Sequence, residues 1–529
     1  MFIGCGGNGD DNNEIIYAVK NIKSDTTSTM EVQQGNRVMI EIAESANKVE
    51  KMESLNGTIE KTDNSLKYYY DAPYIGNSDI LTVTYTDSSN NVKTTNYNVT
   101  LKNKVTFMLY LSAENTLGRD KFNIYDLKEI AAVNMEKNNK NVNIVVYLDT
   151  IGVYENDTEN LEKTGNGCYV YTGNKSDTIC VNNNIITGFK NTGYYGTGNT
   201  GDVSELTNFI DYAKDNFQSE KYLLDLWSHG DGWRKDHYLN KKSRYIIVDD
   251  GDKSSFNMWE LEIAIKKSKI PKIDIVYMDA CLMGGIEVAY QLKDVSDYLV
   301  FSPEPTPGLG GDYTNIIKGI NESDFSNQSI SKKIVYANGE YYKNFWESYG
   351  NYPCVFSAVN QSKLTDLINA MKSVSEEIVK TKNSEVIGKI KEFRKEPGLG
   401  VKNTSDVLCY DYDYYDYTNV NSIYVDLGDL FVNIQKILTT VNHTTALEAD
   451  IKILLTALNN YVTDKTYVNG KCINNKVTTE KIESDTSGLS IYLDLENMSG
   501  ANEYAEYKTA TSFGALTWYQ KFLNKLYGL

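Results

Sequence analysis

The sequence predicts an α/β protein built on a mostly parallel sheet flanked by helices, with an all-β module ahead of it and a helix-rich region behind it. Three observations carry this reading. Tyr222-Leu223-Leu224-Asp225-Leu226-Trp227 and Ile273-Asp274-Ile275-Val276-Tyr277-Met278 are short, mostly apolar runs that stop at polar or glycine-rich turns, as parallel strands covered on both faces do. Between them, Asn257 and Glu260 are spaced as a capping box, with Met258, Leu261, Ala264 and Ile265 on one helical face. A strand, crossover helix, strand unit is right-handed almost without exception, so the two strands point the same way. Upstream, short alternating runs such as Arg37–Ile42, Ile80–Tyr85 and Thr94–Val99 are separated by Asn, Gly, Ser and Asp turns, the pattern of an all-β unit.

Taken in order, residues 1–14 form a leader and residues 15–103 the β module, for which an immunoglobulin-like sandwich is the simplest fit by pattern alone. Residues 104–325 form the α/β domain: a buried strand at Val105–Leu111, a helix carrying Leu127, Ile130 and Ala131, and a strand Val142–Leu148 ending at Asp149. The Gly- and Asn-rich stretch from Thr164 to Gly201 predicts a hairpin, and Leu206, Phe209, Ile210, Ala213 and Phe217 mark a helix leading into the strand before His229. Beyond Cys281, Ile286, Ala289, Tyr290 and Lys293 recur at helical spacing. Leu299-Val300-Phe301 then runs into a proline-rich loop, Ser302 to Gly311, suited to shaping a substrate cleft. In residues 326–529 helices dominate (Ile330–Trp346, Lys363–Lys380, Leu427–Leu438), with strands at Cys354–Val359 and Leu489–Leu493. The run Tyr410 to Tyr417 lacks the glycine and terminal glutamate of a calcium loop and reads as an exposed tyrosine-rich loop.

The 53 basic and 71 acidic residues give a net charge of -18, which argues against a nucleic-acid or anionic-membrane surface and favours cationic partners. Seven scattered cysteines without a CxxC pair indicate neither zinc nor a disulfide framework, although Cys168 and Cys180 could pair across the predicted hairpin if oxidised. No stretch is long and apolar enough to span a bilayer. Ile3-Gly4-Cys5 resembles the end of a bacterial lipoprotein signal, which makes Cys5 a lipidation candidate and the chain an exported, surface-anchored or secreted one. The charged and apolar front of such a signal is absent, and an incidental chain end is the plain alternative.

One apolar strand ends at His229 and the other at Cys281, at the sheet edge where α/β proteins build sites. A thiolate is a strong nucleophile, and a neighbouring imidazole lowers the thiol's pKa and protonates the leaving group. The start of the following helix would favour the thiolate, and the backbone N–H groups of Gly230 and Cys281 are candidate oxyanion donors. Asp279 lies one pleat before Cys281 on the same face, placed to receive an Arg or Lys side chain; the alternative is a structural carboxylate bonded to loop amides. A buried inert cysteine and a strand-ending histidine are the corresponding plain readings of Cys281 and His229.

Leu226-Trp227-Ser228-His229-Gly230-Asp231-Gly232-Trp233 and Met278-Asp279-Ala280-Cys281-Leu282-Met283-Gly284-Gly285, with Tyr110-Leu111-Ser112-Ala113-Glu114-Asn115, Pro307-Gly308-Leu309-Gly310 and Gly488-Leu489-Ser490-Ile491-Tyr492 in the same order, resemble the clostripain family of cysteine peptidases. The resemblance runs from about Lys104 to the C-terminus and implies a caspase-like fold. It further implies a His229–Cys281 dyad with no third acid and protein or peptide substrates cut after Arg or Lys read by Asp279. Pro303-Glu304-Pro305 departs from the family's less constrained acidic stretch and leaves the cleft shape open. Arg234, Lys235, Lys241, Lys242 and Arg244 put five basic residues into an eleven-residue loop. Maturation by self-cleavage after Lys241, Lys242 or Arg244 is therefore expected by analogy. The chemistry itself needs no cofactor; the resemblance adds calcium as a candidate ion, with Asp249, Asp250 and Asp252 as ligands or merely a solvated turn. Two rival readings are a catalytically inactive caspase-like surface binding protein and a peptide ligase or transpeptidase.

Overall fold

The computed structural model describes residues 16–19, 29–42, 46–73, 75–135, 141–150, 153–154, 169–181, 184–195, 198–235, 244–349, 354–380, 384–391, 394–397, 406–410, 424–468, 486–493 and 501–528. At its centre, five parallel strands lie in the order Val142–Thr150, Asn103–Ala113, Ser219–Trp227, Ile273–Asp279, Ser296–Phe301. Their residues are buried almost without interruption, which explains why these runs read as continuous apolar stretches.

The sheet grows to ten strands by antiparallel additions at both edges. On one side Cys354–Asn360 and Val462–Val468 extend it; on the other, Tyr169–Val181 pairs with Val142–Thr150 and forms with Asn184–Tyr195 the hairpin expected from the Gly- and Asn-rich stretch. Cys168 and the side chain of Cys180 lie outside the described residues, as does most of the tyrosine-rich run after Tyr410.

Helices cover both faces. Phe122–Met135, Tyr313–Asn321 and Asn327–Tyr349 close one core with Phe107, Leu109, Tyr277 and Val300; Val203–Asn216, Met258–Lys267 and Leu364–Lys380 close the other with Met108, Leu224, Val276 and Leu299. The predicted capping box is present: Asn257 Oδ1 accepts from Glu260 N at 3.0 Å and Glu260 Oε2 accepts from Asn257 N at 3.0 Å. The second core continues without a break into the C-terminal half, through Leu427, Leu454, Ile491 and Tyr507.

The link between the histidine and cysteine strands holds more than the expected helix. Gly230–Lys235, Arg244–Asp249 and Ser254–Phe256 form a small antiparallel sheet before the helix begins. Its short strands, interrupted by glycines and Asp249-Asp250-Gly251-Asp252, give no periodicity long enough to read.

The N-terminal module consists of two four-stranded sheets whose inward residues, among them Ile40, Tyr70, Val83 and Val99, share one core. It is fastened to the α/β body by side-chain amides, those of Gln34 and Asn143 buried. Asn143 Nδ2 donates to Gln34 Oε1 at 2.6 Å, Gln34 Nε2 donates to Asn216 O at 2.7 Å, and Asn77 Nδ2 donates to Asp215 O at 2.6 Å. These paired amides orient the junction, and Ile75 adds an apolar contact against the core of the α/β body.

Candidate active site

The last aligned pair between the histidine and cysteine strands is Trp227 with Asp279. Both strands stop at that pair, and two residues further along each chain segment His229 and Cys281 stand half-buried at the same end of the sheet. The approach is tight: a Cβ on Gly230 would fall 2.5 Å from Cys281 O and 2.9 Å from Ala280 Cβ. Only glycine fits there.

The histidine stands on a polar frame. Ser228 Oγ accepts from Val248 N at 3.0 Å and from Asn115 Nδ2 at 3.2 Å, and Asn115 Nδ2 also donates to Val248 O at 2.8 Å. Asn115 further caps the short helix Thr116–Arg119, whose first residue places its Oγ1 2.7 Å from His229 Nε2. Ile247 reaches this arrangement with φ of +66°, an unfavourable conformation for a β-branched side chain; the register shift there turns both polar groups of Val248 toward Ser228 and Asn115.

Cys281 sits in the turn after its strand rather than at a helix start. The helix begins only at Ile286 and is six residues long, so its dipole is not the source of positive potential expected at the thiol. The donor that reaches the sulfur comes from the proline-rich loop: Thr306 N donates to Sγ at 3.3 Å, with Thr306 Oγ1 at 3.4 Å and Thr306 O at 3.7 Å. Leu282 N donates to Glu304 O at 3.0 Å and Gly284 N to Ser302 O at 2.7 Å, fixing this loop along the cysteine turn. Leu282 itself has φ of +61°, so the turn after the cysteine is strained. On the other side, Ser490 N donates to Gly284 O at 2.8 Å and Tyr424 Oη to Asp231 O at 2.7 Å, so the C-terminal half buttresses both loops.

Asp279 is buried behind the cysteine. Its Oδ2 accepts from Gly311 N at 2.6 Å and from Tyr313 Oη at 3.1 Å, and Tyr313 Oη also lies 2.9 Å from Asp225 Oδ2. A Cβ on Gly310, at φ +69°, would come within 3.0 Å of Asp279 Oδ2 and 2.9 Å of Asp126 Oδ2. Asp126, Asp225 and Asp279 thus form one buried acidic group, joined at its edge by Glu129. Burial holds Asp279 up at about 6. Burial and then the Asp279 charge push Asp126 and Asp225 well above the carboxylate range. The sequence analysis found Asp279 but missed Asp126 and Asp225, because carboxylates on a helix and inside an apolar strand meet only in the folded sheet.

Of the three sequence candidates for calcium, Asp250 and Asp252 are exposed, whereas Asp249 is buried with Glu114 and Asp149. Lys241 and Lys242 lie outside the described residues. Arg244 pairs with Lys235, and residues 236–243 between them lie outside the described residues. Cys5 also lies outside them. No helix among the described residues is long and apolar enough to cross a membrane.

Residues 109–525 match the sequence profile described as "Clostripain family". The chain is 26% identical to clostripain from Hathewaya histolytica over 463 residues, covering 80% of this chain and 81% of that protein. Among solved structures, a secreted C11 cysteine protease from Bacteroides thetaiotaomicron in complex with an irreversible peptide inhibitor superposes with a TM-score of 0.55 at 20% identity, covering 79% of this chain and 98% of the other. An inactive zymogen C11 protease from Parabacteroides distasonis gives 0.50 at 19% identity, covering 79% and 97%. These structural likenesses establish a mixed α/β fold around a mostly parallel sheet.

Proposed function

The chain belongs to the clostripain family and is a cysteine endopeptidase, and from that premise we propose that Cys281 is its nucleophile, His229 its proton partner and Asp279 the residue that selects Arg or Lys. The observation that carries the dyad is the strand register ending at Trp227 and Asp279, together with the close packing of Gly230 on Cys281.

In this reading the Cys281 thiolate attacks the scissile carbonyl carbon, forming a C–S bond and an oxyanion that the Gly230 and Cys281 amides receive. With Nε2 engaged by Thr116, Nδ1 is assigned the proton, which it gives to the leaving amine as the C–N bond breaks. The neutral imidazole then takes a proton from water, whose oxygen attacks the thioester and releases the carboxylic acid and the thiolate. Thr306, at the sulfur in this structure, must withdraw for substrate to enter. A guanidinium or ammonium reaching past Cys281 would meet the Asp279 carboxylate, whose charge favours a cation and disfavours an apolar side chain and whose ionisation such a cation would favour in turn.

Self-cleavage after Lys241, Lys242 or Arg244 follows from the same specificity. A cut after any of these residues would separate His229 from Cys281 in the chain, while the parallel pairing of their strands would hold the two pieces together. An exported enzyme, lipidated at Cys5 and carrying its N-terminal two-sheet module as an immunoglobulin-like spacer, fits one relative's description as secreted.

The test compares wild type, Cys281→Ala and His229→Ala on a peptide with a single Arg or Lys, with intact mass followed over time. Both variants are expected to lose activity by a factor of about 10⁴ or more and to remain uncut, with melting temperatures close to wild type. Appreciable turnover by Cys281→Ala would refute the assignment, and a fully active enzyme that stays in one piece would remove the self-cleavage.

A further inference from the structure

We infer that Thr116 is the positioning residue of His229, its hydroxyl accepting a hydrogen bond from Nε2–H and so keeping the ring in the state that works on Cys281 through Nδ1. The inference rests on the dyad proposed above and names the group that orients its imidazole. Thr116 Oγ1 lies 2.7 Å from His229 Nε2.

This contact is the second of two successive ones between the same two segments. Asn115 Nδ2 donates to Ser228 Oγ at 3.2 Å, and the next residue on each side supplies the Thr116 and His229 pair. Asn115 is completely buried, and its amide also reaches Ser112 O at 3.0 Å and Val248 O at 2.8 Å. The turn that carries Thr116 is pinned as well. Asn115 Oδ1 accepts from Leu117 N at 2.9 Å, and a Cβ on Gly118 would fall 1.9 Å from Ala113 O, so the turn lies against the end of its own strand. Thr116 is exposed. A hydroxyl on a loose segment there would exchange the imidazole for water, whereas one on a fixed backbone gives up little entropy in holding it.

The direction of the bond follows from what the ring has to do. An imidazolium donates from both nitrogens, while a hydroxyl serves as donor or acceptor. In a thiolate–imidazolium pair Nε2–H can only donate, so Thr116 Oγ1 accepts. Once Nδ1 has passed its proton to the leaving amine, the neutral ring keeps its remaining hydrogen on Nε2, where the same acceptor retains it. The Nδ1 lone pair is then free to take a proton from the water whose oxygen attacks the thioester. A donating Thr116 would instead leave the hydrogen on Nδ1, and the ring could not act as a base on that side. An acceptor for Nε2–H also favours the charged ring, and through it the thiolate.

Charged or titratable groups on the segments around the ring include Asp231 on its own strand, Glu114 and Arg119 beside Thr116, Asp249 after Val248, and Cys281 with Glu304 on the cysteine side. Thr116 is uncharged and its replacement alters none of them, so a change of pH profile between variant and wild type reports the hydroxyl.

The experiment follows alkylation of Cys281 by iodoacetamide against pH in the full chain, beside turnover of a peptide with a single Arg or Lys. It compares wild type, Thr116→Val, Thr116→Ser and His229→Ala. Valine keeps the branching of threonine without the hydroxyl, and Thr116→Ala replaces it if valine crowds the turn. Thr116→Val is expected to lose about 3- to 10-fold in kcat with KM little changed. Its alkylation at low pH, where only a thiolate held by the imidazolium reacts, should begin at higher pH than in wild type, and its turnover should end at lower pH. Thr116→Ser should restore rate and profile, and all variants should melt close to wild type. A Thr116→Val enzyme with wild-type kcat and profile, or a Thr116→Ser enzyme equally impaired, would overturn the inference. If His229→Ala keeps the wild-type alkylation profile, the dyad falls and this inference with it. If His229→Ala loses the low-pH reaction while Thr116→Val keeps it unshifted, only the role of Thr116 falls.

Discussion

Gly230 packs directly on the backbone of Cys281, so closely that a Cβ would sit 2.5 Å from the Cys281 carbonyl oxygen. The two nearest atoms are that backbone oxygen and the buried Ala280 Cβ, which cannot step aside cheaply; Met283 Sδ follows at 3.0 Å. Gly230→Ala should therefore push the His229 loop away from the cysteine turn and misalign both the dyad and the Gly230 amide. A displacement on the ångström scale costs about 10²-fold in rate. We expect kcat/KM to fall by at least that factor while the melting temperature drops by only a few degrees; an active Gly230→Ala enzyme would show that the contact does not set the site.

How much of this was legible in the sequence depended on local signals. Tyr222 to Trp227 and Ile273 to Met278 announced buried parallel strands because both of their faces are covered, and Asn257 with Glu260 announced a helix start because a cap is a short-range pattern. The small sheet from Gly230 to Phe256 was not legible: its strands are three to six residues long, and its bulge at Ile247 exists to serve Ser228 and Asn115, which are distant in sequence. Thr306 at the sulfur, and the meeting of Asp126 and Asp225 with Asp279, likewise depend on contacts between elements far apart in the chain.

Asp279→Asn keeps the size of the side chain and its bonding to Gly311 N, while removing the charge. If the carboxylate selects Arg and Lys, the variant should lose about 10²-fold or more in kcat/KM on basic substrates, with a smaller change on a substrate of neutral residue at that position. Because burial burdens the Asp279 charge, the melting temperature of the variant at neutral pH should be equal to or above that of wild type. Equal losses on basic and neutral substrates would instead mark Asp279 as a residue that shapes the loop from Ser302 to Gly311.

Thr306 occupies the thiol from three sides of its own residue, through N–H, carbonyl and hydroxyl. Thr306→Gly should loosen the loop and keep the rest of the cysteine turn, since the bonds from Leu282 N to Glu304 O and from Gly284 N to Ser302 O are main-chain bonds. The rate of Cys281 alkylation by a small haloacetamide in the absence of substrate is expected to rise several-fold, read by mass of the modified peptide. A rate unchanged from wild type would mean that the loop does not limit access to the sulfur.

Glu287, on the helix after the cysteine turn, links that turn to the C-terminal half. Its Oε1 accepts from Tyr492 N at 2.9 Å and from Tyr507 Oη at 2.8 Å, while its buried Oε2 has no partner. Burial raises its pKa from an ordinary 4.5 to about 7, with hydrogen bonds from Tyr492 N, its own backbone and Tyr507 Oη opposing that rise only in part. The sign follows from linkage: the fold favours the protonated acid, so its contribution is fully present below the unfolded pKa of 4.5 and is lost as pH rises through about 7. The full span is worth at most about 3 kcal/mol. Glu287→Gln, a neutral mimic of the protonated side chain, should erase this loss. Relative to wild type, its stability in denaturant titrations should be unchanged or slightly lower near pH 4.5 and higher above pH 7. The other buried acids impose the same trend on both proteins and cancel in the comparison. A Glu287→Gln protein that gains nothing over wild type between those two pH values would show that the carboxyl is already ionised at neutral pH, held by Tyr492 and Tyr507 more strongly than burial opposes it.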